Sequence, residues 1–222
     1  MIKIQSIIFD LDGTLVDTET TASLAVKECF QEKGISLTSE DTTYVVGRTW
    51  ASSFGYLSQK YKLGESQNEV ASAIKKKYRA MIENHLPTIP GSVEAVTELV
   101  SHYKIGLVSG SEKQDIMWVL NKLGIQKYFQ VILGAQDYSH SKPSPVGYLK
   151  ALSELQTSPQ NSLVFEDSEP GIESAKKAGS WVVAVQNANR FGHDQSQAHL
   201  QIQDFTKIDP KWVQNLTKLI KK

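Results

Sequence analysis

The sequence contains very little cysteine: Cys29 is the only one among its 222 residues. No disulfide bond can therefore form within the chain, which fits a reducing compartment. Cys29 lies in the segment "ASLAVKECF", which has the composition of a helix. We expect it to be a buried structural thiol rather than a nucleophile, because structural cysteines are mostly buried and unreactive.

Long apolar runs and an excess of one charge are also missing. No run approaches the roughly 20 apolar residues of a membrane helix, and the first residues, "MIKIQSIIFD", do not form a signal peptide. Acidic and basic residues balance at 24 each, so no overall field attracts nucleic acid or a membrane surface. We therefore expect a cytoplasmic monomer that binds neither nucleic acid nor membrane.

Short apolar runs are what the sequence does have. They are continuous rather than alternating, which is typical of strands in a parallel sheet covered on both faces. The runs span 6–9, 104–109, 129–134, 162–167 and 181–186. Helix-like segments separate the later runs, so the sequence predicts an α/β fold with a doubly wound, Rossmann-like parallel sheet.

One long segment between the first two predicted strands contains only helix-like stretches. We therefore predict an α-helical cap domain at 17–87, inserted into an α/β core formed by 1–16 and 88–222. The segment "LPTIPG" at 86–91 is the predicted return linker, stiffened by its two prolines. A final amphipathic helix is predicted after Asp209, which would be its N-cap.

Polar residues follow the predicted strands at the point where each one ends. In open α/β sheets, ligands bind beyond the carboxyl ends of the strands, so we expect these side chains to meet at one edge. They are Asp10 and Asp12 after the first strand, Ser109 at the end of the second, Lys142 after the third, and Glu166 and Asp167 at the end of the fourth.

Four carboxylates placed together repel one another, and a folded protein keeps them only if positive charge compensates. Four negative charges, one Mg²⁺ and one lysine leave a single negative charge, which protonation of one carboxyl would remove. Oxygen ligands without cysteine or paired histidines favour Mg²⁺, and such a site suits phosphoryl chemistry. Each motif alone also has a structural interpretation, such as an acidic loop or a helix N-cap. Their order at successive strand ends favours the functional one.

Four segments carry a resemblance to a known family: "DLDGT" at 10–14, "LVSGS" at 107–111, "SKPSP" at 141–145 and "FEDS" at 165–168. With them, the sequence resembles the haloacid dehalogenase (HAD) superfamily of aspartyl-phosphate enzymes, in the branch with a helical cap. The resemblance implies a Mg²⁺-dependent phosphatase acting on a small phosphorylated metabolite. An acid at position 12 supports phosphate-ester chemistry, since dehalogenases and phosphonate hydrolases of the superfamily lack one.

The resemblance also implies a role for individual residues. Asp10 would be the nucleophile and Asp12 the general acid/base, and Ser109 and Lys142 would bind the phosphoryl group. The residues implied for substrate binding near the motifs are Gly13, Thr14, Gly110 and Ser111. Independently of the resemblance, we expect Gly13 to allow a tight turn that leaves backbone N–H groups free to face phosphate oxygens. The metal ligands would be Asp10, the Asp12 carbonyl and Asp167, with Glu166 contributing through a water or from outside the direct ligands.

Substrate choice in this family depends largely on the cap. Arg48, in "VVGRTW", lies in a predicted interhelical loop where similar enzymes place a substrate-facing arginine, and a solvated arginine is the alternative. Trp50 is predicted to pack in the cap. The loop 190–199 follows the fifth strand, but no pattern in it indicates a specific function.

Two other functions stay open. A phosphomutase resembling β-phosphoglucomutase would use the same core, but that mutase has a histidine four residues beyond its hinge threonine. If Thr18 is that threonine, the position is Ala22 here, which weakens the mutase interpretation. A non-catalytic phosphate-binding module would be expected to lack Asp10 or Asp12, and both are present.

Overall fold

The chain forms two compact units in the structure, a computed structural model that describes residues 3–45, 50–187, 189 and 192–219. The side chains at 19, 43, 45, 50–54 and 217–219 are not described. The first unit comprises Met1–Val16 and Thr88–Lys222, and the second comprises Asp17–Pro87.

A parallel sheet forms the centre of the first unit. Its strands are β1 (Ser6–Phe9), β2 (Lys104–Val108), β3 (Val131–Leu133), β4 (Ser162–Glu166), β5 (Trp181–Val185) and β6 (Leu200–Ile202). They are arranged in the order β3-β2-β1-β4-β5-β6, and every neighbouring pair is parallel. This is the doubly wound order, so the predicted fold class is confirmed.

The helices follow the prediction for the most part. They are α1 (Thr18–Glu32), α2 (Ser39–Val45), α3 (Trp50–Lys60), α4 (Gln67–Asn84), α5 (Ser92–Leu99), α6 (Lys113–Lys122), α7 (Val146–Glu154), α8 (Glu169–Lys177) and α9 (Pro210–Leu219). Asp209 caps α9 as predicted, since the Trp212 N–H donates to its Oδ1 at 2.6 Å. None of the described helices is both long and apolar enough to traverse a bilayer.

Two elements, α5 and β6, were not predicted from the sequence. Strand β6 has only three residues, "LQI", and its central glutamine is exposed because the strand lies at the edge of the sheet. It therefore lacks the continuous apolar run that marks the buried strands. Helix α5 is eight residues long and directly follows the segment predicted as the return linker.

An aromatic cluster fixes the two strands that carry the acids. Phe9 on β1 and Phe165 on β4 pair in register and stack with their ring centroids 5.2 Å apart. Phe205 packs against Phe165 at 5.0 Å, and all three rings are buried. Burying such a side chain stabilises a fold by about 1.5–3 kcal/mol. The cluster thus helps to hold together the ends of β1 and β4, next to Asp10 and Glu166.

The second unit has a hydrophobic core of its own. Its buried residues come from three helices: Ala25, Val26, Cys29, Phe30, Leu57, Val70 and Ile74. Cys29 is 4% exposed, as expected of a structural thiol. Arg48 lies outside the described residues, as does the side chain of Trp50, so the predictions for both stay predictions.

Asp41 is a buried charge in this unit, and four donors satisfy it. Its carboxylate accepts hydrogen bonds from Thr38 N–H (2.9 Å) and Thr38 Oγ1 (2.7 Å), and from Lys60 Nζ (2.6 Å) and Tyr61 Oη (2.5 Å). Burial by itself would raise the pKa of Asp41. The hydrogen bonds from Lys60, Tyr61 and Thr38 outweigh burial and hold the pKa well below its ordinary value.

We expect Asp41→Asn to lower the free energy of unfolding of the chain by about 1.5–3 kcal/mol at pH 7, the range for hydrogen bonds to charged groups. Because the folded-state pKa is depressed, the stabilisation is fully present above the unfolded-state pKa of about 4, declines as pH falls below it, and is lost as pH passes through the lower folded-state pKa. Urea unfolding of both proteins should therefore show a gap at pH 7 that narrows towards pH 3. Glu65→Gln, which removes a half-exposed pair with Lys33, is the control and should cost under about 1 kcal/mol. A pH-independent gap would contradict the charge as its cause.

Candidate active site

Lys142 connects the carboxyl ends of β1 and β4. Its Nζ donates to Asp10 Oδ1 at 2.5 Å and to Glu166 Oε1, and it also lies 3.3 Å from the carbonyl oxygen of Val108 at the end of β2. Asp10 and Glu166 are 5% and 0% exposed. Strands β1 and β4 therefore deliver two buried acids to the same point, and Lys142 reaches them from the turn before α7, at the edge of the sheet where the sequence predicted them.

Glu166 is surrounded by donors from the protein itself. Lys142 and the Tyr148 hydroxyl (2.9 Å) donate to Oε1. The Asp167 N–H, the Ser168 N–H and the Ser168 hydroxyl donate to Oε2 at 3.0–3.1 Å. A carboxylate has about four lone-pair sites. Since five donors already share them, Glu166 is better suited to orienting its neighbours than to binding a metal directly.

Asp167 is held against the loop that follows β1. Thr14 Oγ1 donates to Asp167 Oδ1 at 3.1 Å, and both residues are buried. Gly13 has a φ of +81°, and a Cβ there would lie 2.1 Å from Asp167 Oδ2. Any larger residue at position 13 would therefore displace this carboxylate. Gly13 and Thr14 act here on Asp167, and substrate contact by either stays a prediction.

The tight turn expected at Gly13 is present, but the N–H group of Gly13 itself is not free. Its N–H donates to the carbonyl oxygen of Val16 at 2.7 Å, closing a tight turn. The turn returns the chain towards β1 and uses up this donor. The role of the glycine is to adopt the left-handed backbone and to leave room for the Asp167 carboxylate.

Asp12 is positioned by the loop after β2. Its Oδ2 accepts a hydrogen bond from Ser111 Oγ at 2.6 Å and a weaker one from Ser109 Oγ at 3.4 Å. Ser109 Oγ also accepts from the Ser111 N–H at 3.0 Å, and Tyr138 Oη donates to the Ser109 carbonyl at 2.8 Å. The two serines thus form a small network that orients the Asp12 side chain. Gly110 between them is exposed and open.

The acids and the lysine at this site shift one another's pKa values. Burial raises the pKa of Asp10 well above its ordinary value, Lys142 opposes that shift, and Glu166 and Asp12 add to it. Burial would also raise the pKa of Glu166, but the charge of Lys142 and several hydrogen bonds hold it below its ordinary value. Lys142 stays protonated beside these acids, since they raise its pKa well above normal. Lys142 thus brings one positive charge to the two buried acids that it contacts, Asp10 and Glu166.

A divalent cation fits the acids at this site. Asp10, Glu166 and Asp167 are buried and offer oxygen atoms that all lie within 4.8 Å of one another. Clustered carboxylate oxygens are the donors preferred by Mg²⁺ and Ca²⁺. Because the oxygens of Glu166 are occupied, Asp10 and Asp167 are the side chains best placed to hold the ion, with Glu166 behind them.

The structure brings together most of the predicted site residues. Those at this edge of the sheet are Asp10, Asp12, Gly13, Thr14, Ser109, Gly110, Ser111, Lys142, Glu166 and Asp167. Arg48 lies outside the described residues, so a part for it in the site stays a prediction. The contacts were not predictable in detail, because many of them join residues separated by 18 to 153 positions in the chain.

Sequence reasoning missed two residues that shape the site, Tyr148 and Gly171. Tyr148 is fully buried, and its ring lies 5.3 Å from Lys142 Nζ while its hydroxyl binds Glu166. A Cβ at Gly171, in the first turn of α8, would lie 1.8 Å from Glu166 Oε1. The only sequence signal was indirect: both residues lie within six positions of a motif residue, on the helix that follows it.

We expect Gly171→Ala to lower catalytic turnover by about 10–100-fold, the range for changes to groups that orient metal ligands. The added methyl group must push Glu166 away, which also moves Lys142. Steady-state assays with saturating Mg²⁺ would measure the effect. Gly64→Ala, at a glycine with open space around its Cβ position, is the matched control and should keep full activity. Equal activity in both variants would show that Glu166 tolerates displacement.

Comparison with known proteins identifies related sequences over most of the chain. A family model described as haloacid dehalogenase-like hydrolase matches residues 7–185. Phosphoglycolate phosphatase of Aquifex aeolicus (strain VF5) is 30% identical over 182 residues, covering 78% of this chain and 81% of that protein. Phosphorylated carbohydrates phosphatase of Thermotoga maritima is 27% identical over 176 residues, covering 79% and 82%. Among solved structures, β-phosphoglucomutase (pgmB) from Clostridium difficile matches with a TM-score of 0.78 and 26% identity, over 99% of this chain and 100% of that one.

Proposed function

The chain belongs to the haloacid dehalogenase-like hydrolase family and is a phosphatase, and on that premise we propose that it hydrolyses a small phosphorylated metabolite with Mg²⁺ through an aspartyl-phosphate intermediate. The observation that carries the proposal is the position of Lys142 between Asp10 and Glu166, with Asp167 beside them. This arrangement places a buried carboxylate next to fixed positive charge, where a phosphoryl group can be bound and attacked.

In the first half of the reaction, a carboxylate oxygen of Asp10 attacks phosphorus. A bond forms between that oxygen and phosphorus, and the bond from phosphorus to the leaving-group oxygen breaks. Asp12 donates a proton to the departing oxygen, which leaves as an alcohol. Lys142 offsets the negative charge of the transferring group, and Ser109 is placed to donate a hydrogen bond to it.

In the second half, water replaces the alcohol. Asp12, now ionised, accepts a proton from a water molecule whose oxygen attacks phosphorus. The bond from phosphorus to Asp10 breaks, which releases inorganic phosphate and restores both acids. When bound by Asp10 and Asp167, Mg²⁺ would supply charge neutralisation for the phosphate oxygens. The hydrogen bond from Ser111 keeps Asp12 oriented for both proton transfers.

A sugar phosphate or a similar phosphomonoester is the substrate class we propose. Two relatives support it by name, one a phosphatase of phosphorylated carbohydrates and the other of phosphoglycolate. Arg48 stays our hypothesis for binding a second anionic group of the substrate, since an arginine can pair with carboxylate or phosphate in a bidentate way. The cytoplasmic location and the monomeric state stay predictions from the sequence.

A phosphomutase is the second candidate, favoured by the similarity over the whole chain to a β-phosphoglucomutase. Release to water is better supported by the segment after β1. A mutase must keep water from its phosphoenzyme while a bisphosphate reorients, and this requires a group that couples cap closure to proton transfer. If Thr18 corresponds to the hinge threonine of β-phosphoglucomutases, the position four residues on, where the family resemblance implies a histidine, is Ala22 in this chain.

The two candidates are separated by following both products of one substrate. The chain is given β-glucose 1-phosphate, Mg²⁺ and a trace of the 1,6-bisphosphate, and inorganic phosphate and glucose 6-phosphate are measured together. We expect phosphate without isomerisation, or activity only on other members of a panel of sugar phosphates and phosphoglycolate. Glucose 6-phosphate forming faster than phosphate would favour the mutase. Full activity after exhaustive treatment with EDTA would contradict the metal requirement.

A further inference from the structure

Gln195, in the loop after β5, contacts the main chain of the candidate site. Its side-chain Nε2 donates to the carbonyl oxygen of Asp167 at 2.6 Å and to that of Val185 at 2.9 Å. Asp167 directly follows β4 and Val185 ends β5. The glutamine is 4% exposed, so these hydrogen bonds are shielded from water. One buried amide therefore ties together the carboxyl ends of two neighbouring strands.

Hydrogen bonds involve the N–H group, the carboxylate and the main-chain carbonyl group of Asp167. The Asp167 N–H donates to Glu166 Oε2, and its carboxylate accepts from Thr14. Gln195 adds a contact with the main-chain carbonyl group of Asp167. Gln195 is itself anchored, because Gln201 Nε2 on β6 donates to the main-chain carbonyl oxygen of Gln195 at 3.1 Å. A continuous set of hydrogen bonds thus runs from the edge strand to Asp167.

The orientation of the amide has a cost. Its Oε1 is buried and accepts no hydrogen bond within the part of the chain that the structure describes. A buried acceptor without a partner is unfavourable, and an apolar side chain of the same size would avoid it. The orientation in which Nε2 donates to both carbonyls leaves Oε1 without a hydrogen bond among the described residues. Gln195 therefore forms two hydrogen bonds to the main chain at the ends of β4 and β5, while its own Oε1 forms none among the described residues.

We propose that Gln195 is a positioning residue for the metal site: by fixing the main chain of Asp167, it sets the direction of the carboxylate that binds Mg²⁺. This inference rests on the proposed function, since it assumes that Asp167 holds the ion. Groups that orient metal ligands typically contribute 10–100-fold to affinity or activity. Gln195 belongs to none of the four motifs and does not itself touch the predicted ion.

The test is to measure Mg²⁺ affinity directly by isothermal titration calorimetry of the full chain. Gln195→Met keeps the length of the side chain and removes both hydrogen bonds, and we expect its Kd for Mg²⁺ to rise about 10-fold or more. Ser180→Ala is the matched control, because the buried Ser162 and Ser180 hydroxyls bond at 2.7 Å near the opposite ends of the same two strands. It should lower the melting temperature without changing the Kd.

Each outcome distinguishes the inference from the proposed function. Wild-type chain that binds no Mg²⁺ would overturn the proposed function. Wild type that binds Mg²⁺ while Gln195→Met binds it equally well would overturn the inference alone, and so would an equal loss in Ser180→Ala. If Gln195→Met does not fold, Gln195→Asn replaces it. That amide is one methylene too short to reach both carbonyls, so the same rise in Kd is expected, and an unchanged Kd would count against the inference.

Discussion

Asp10→Asn should lower turnover of phosphate esters by on the order of 10⁴-fold or more, because an amide cannot replace the carboxylate as the attacking group. The wild-type carboxylate lies 2.5 Å from Lys142, buried at the end of β1, and asparagine has nearly the same shape. The variant is therefore expected to fold normally. Phosphate release would be followed with an aryl phosphate at saturating Mg²⁺.

The phosphoryl adduct gives a second measurement of the same prediction. Rapidly quenched wild-type enzyme should carry a phosphoryl group on the peptide that contains Asp10, and the variant should carry none. Asp204→Asn is the matched control. Asp204 lies in the unit that contains the sheet, and its side chain accepts hydrogen bonds from the nearby Thr206 N–H and hydroxyl. It should keep wild-type turnover. Wild-type turnover by Asp10→Asn would remove Asp10 from the role of nucleophile.

Asp12→Asn is expected to lower turnover by about 10²–10⁴-fold, the usual contribution of general acid–base catalysis. Its affinity for Mg²⁺ should change little, since the side chain is engaged by Ser111 and Ser109 and the implied metal contact is the main-chain carbonyl. Calorimetry would measure the affinity and steady-state assays the turnover. Loss of Mg²⁺ binding by a folded variant would replace the acid/base role by a ligand role.

The leaving group provides an internal control for Asp12. In single-turnover experiments, formation of the phosphoenzyme from an alkyl phosphate needs a proton for the departing oxygen, whereas a nitrophenolate departs without one. The variant should therefore lose much more of this step with the alkyl phosphate than with the nitrophenyl ester. Hydrolysis of the phosphoenzyme should be slow for both substrates, because the same residue activates water. An equal loss of phosphoenzyme formation with both esters would point to a role in binding.

Much of the core site could be predicted because parallel strands impose a simple rule. Their carboxyl ends lie at one edge, so residues that follow separate apolar runs converge although they are far apart in sequence. Asp10, Lys142 and Glu166 meet in this way. The aromatic residues of β1 and β4 strengthen the rule, since their stacking fixes the two strands that carry the acids.

The details that escaped prediction depend on contacts between side chains and main chain. Whether the Gly13 N–H is free depends on the path of the next three residues, which closes a turn onto Val16. Glu166 accepts hydrogen bonds from five donors, and these donors lie in or just before α7 and α8, so the arrangement depends on where the two helices begin. Neither follows from composition or periodicity, because both are decided by packing within a few ångströms.

The sequence by itself determined the fold class and the chemical character of the site, since apolar runs specify buried strands and four acids in that order require positive charge to offset them. Only the tertiary structure decided how those acids are held. Thr14 donates a hydrogen bond to the Asp167 carboxylate, and Gly13 leaves room for it. Ser111 orients Asp12, and Gln195 contacts Asp167 from the loop after β5. The physical reason is that hydrogen bonds are short and directional, so they depend on the final positions of residues that folding brings together from distant parts of the chain.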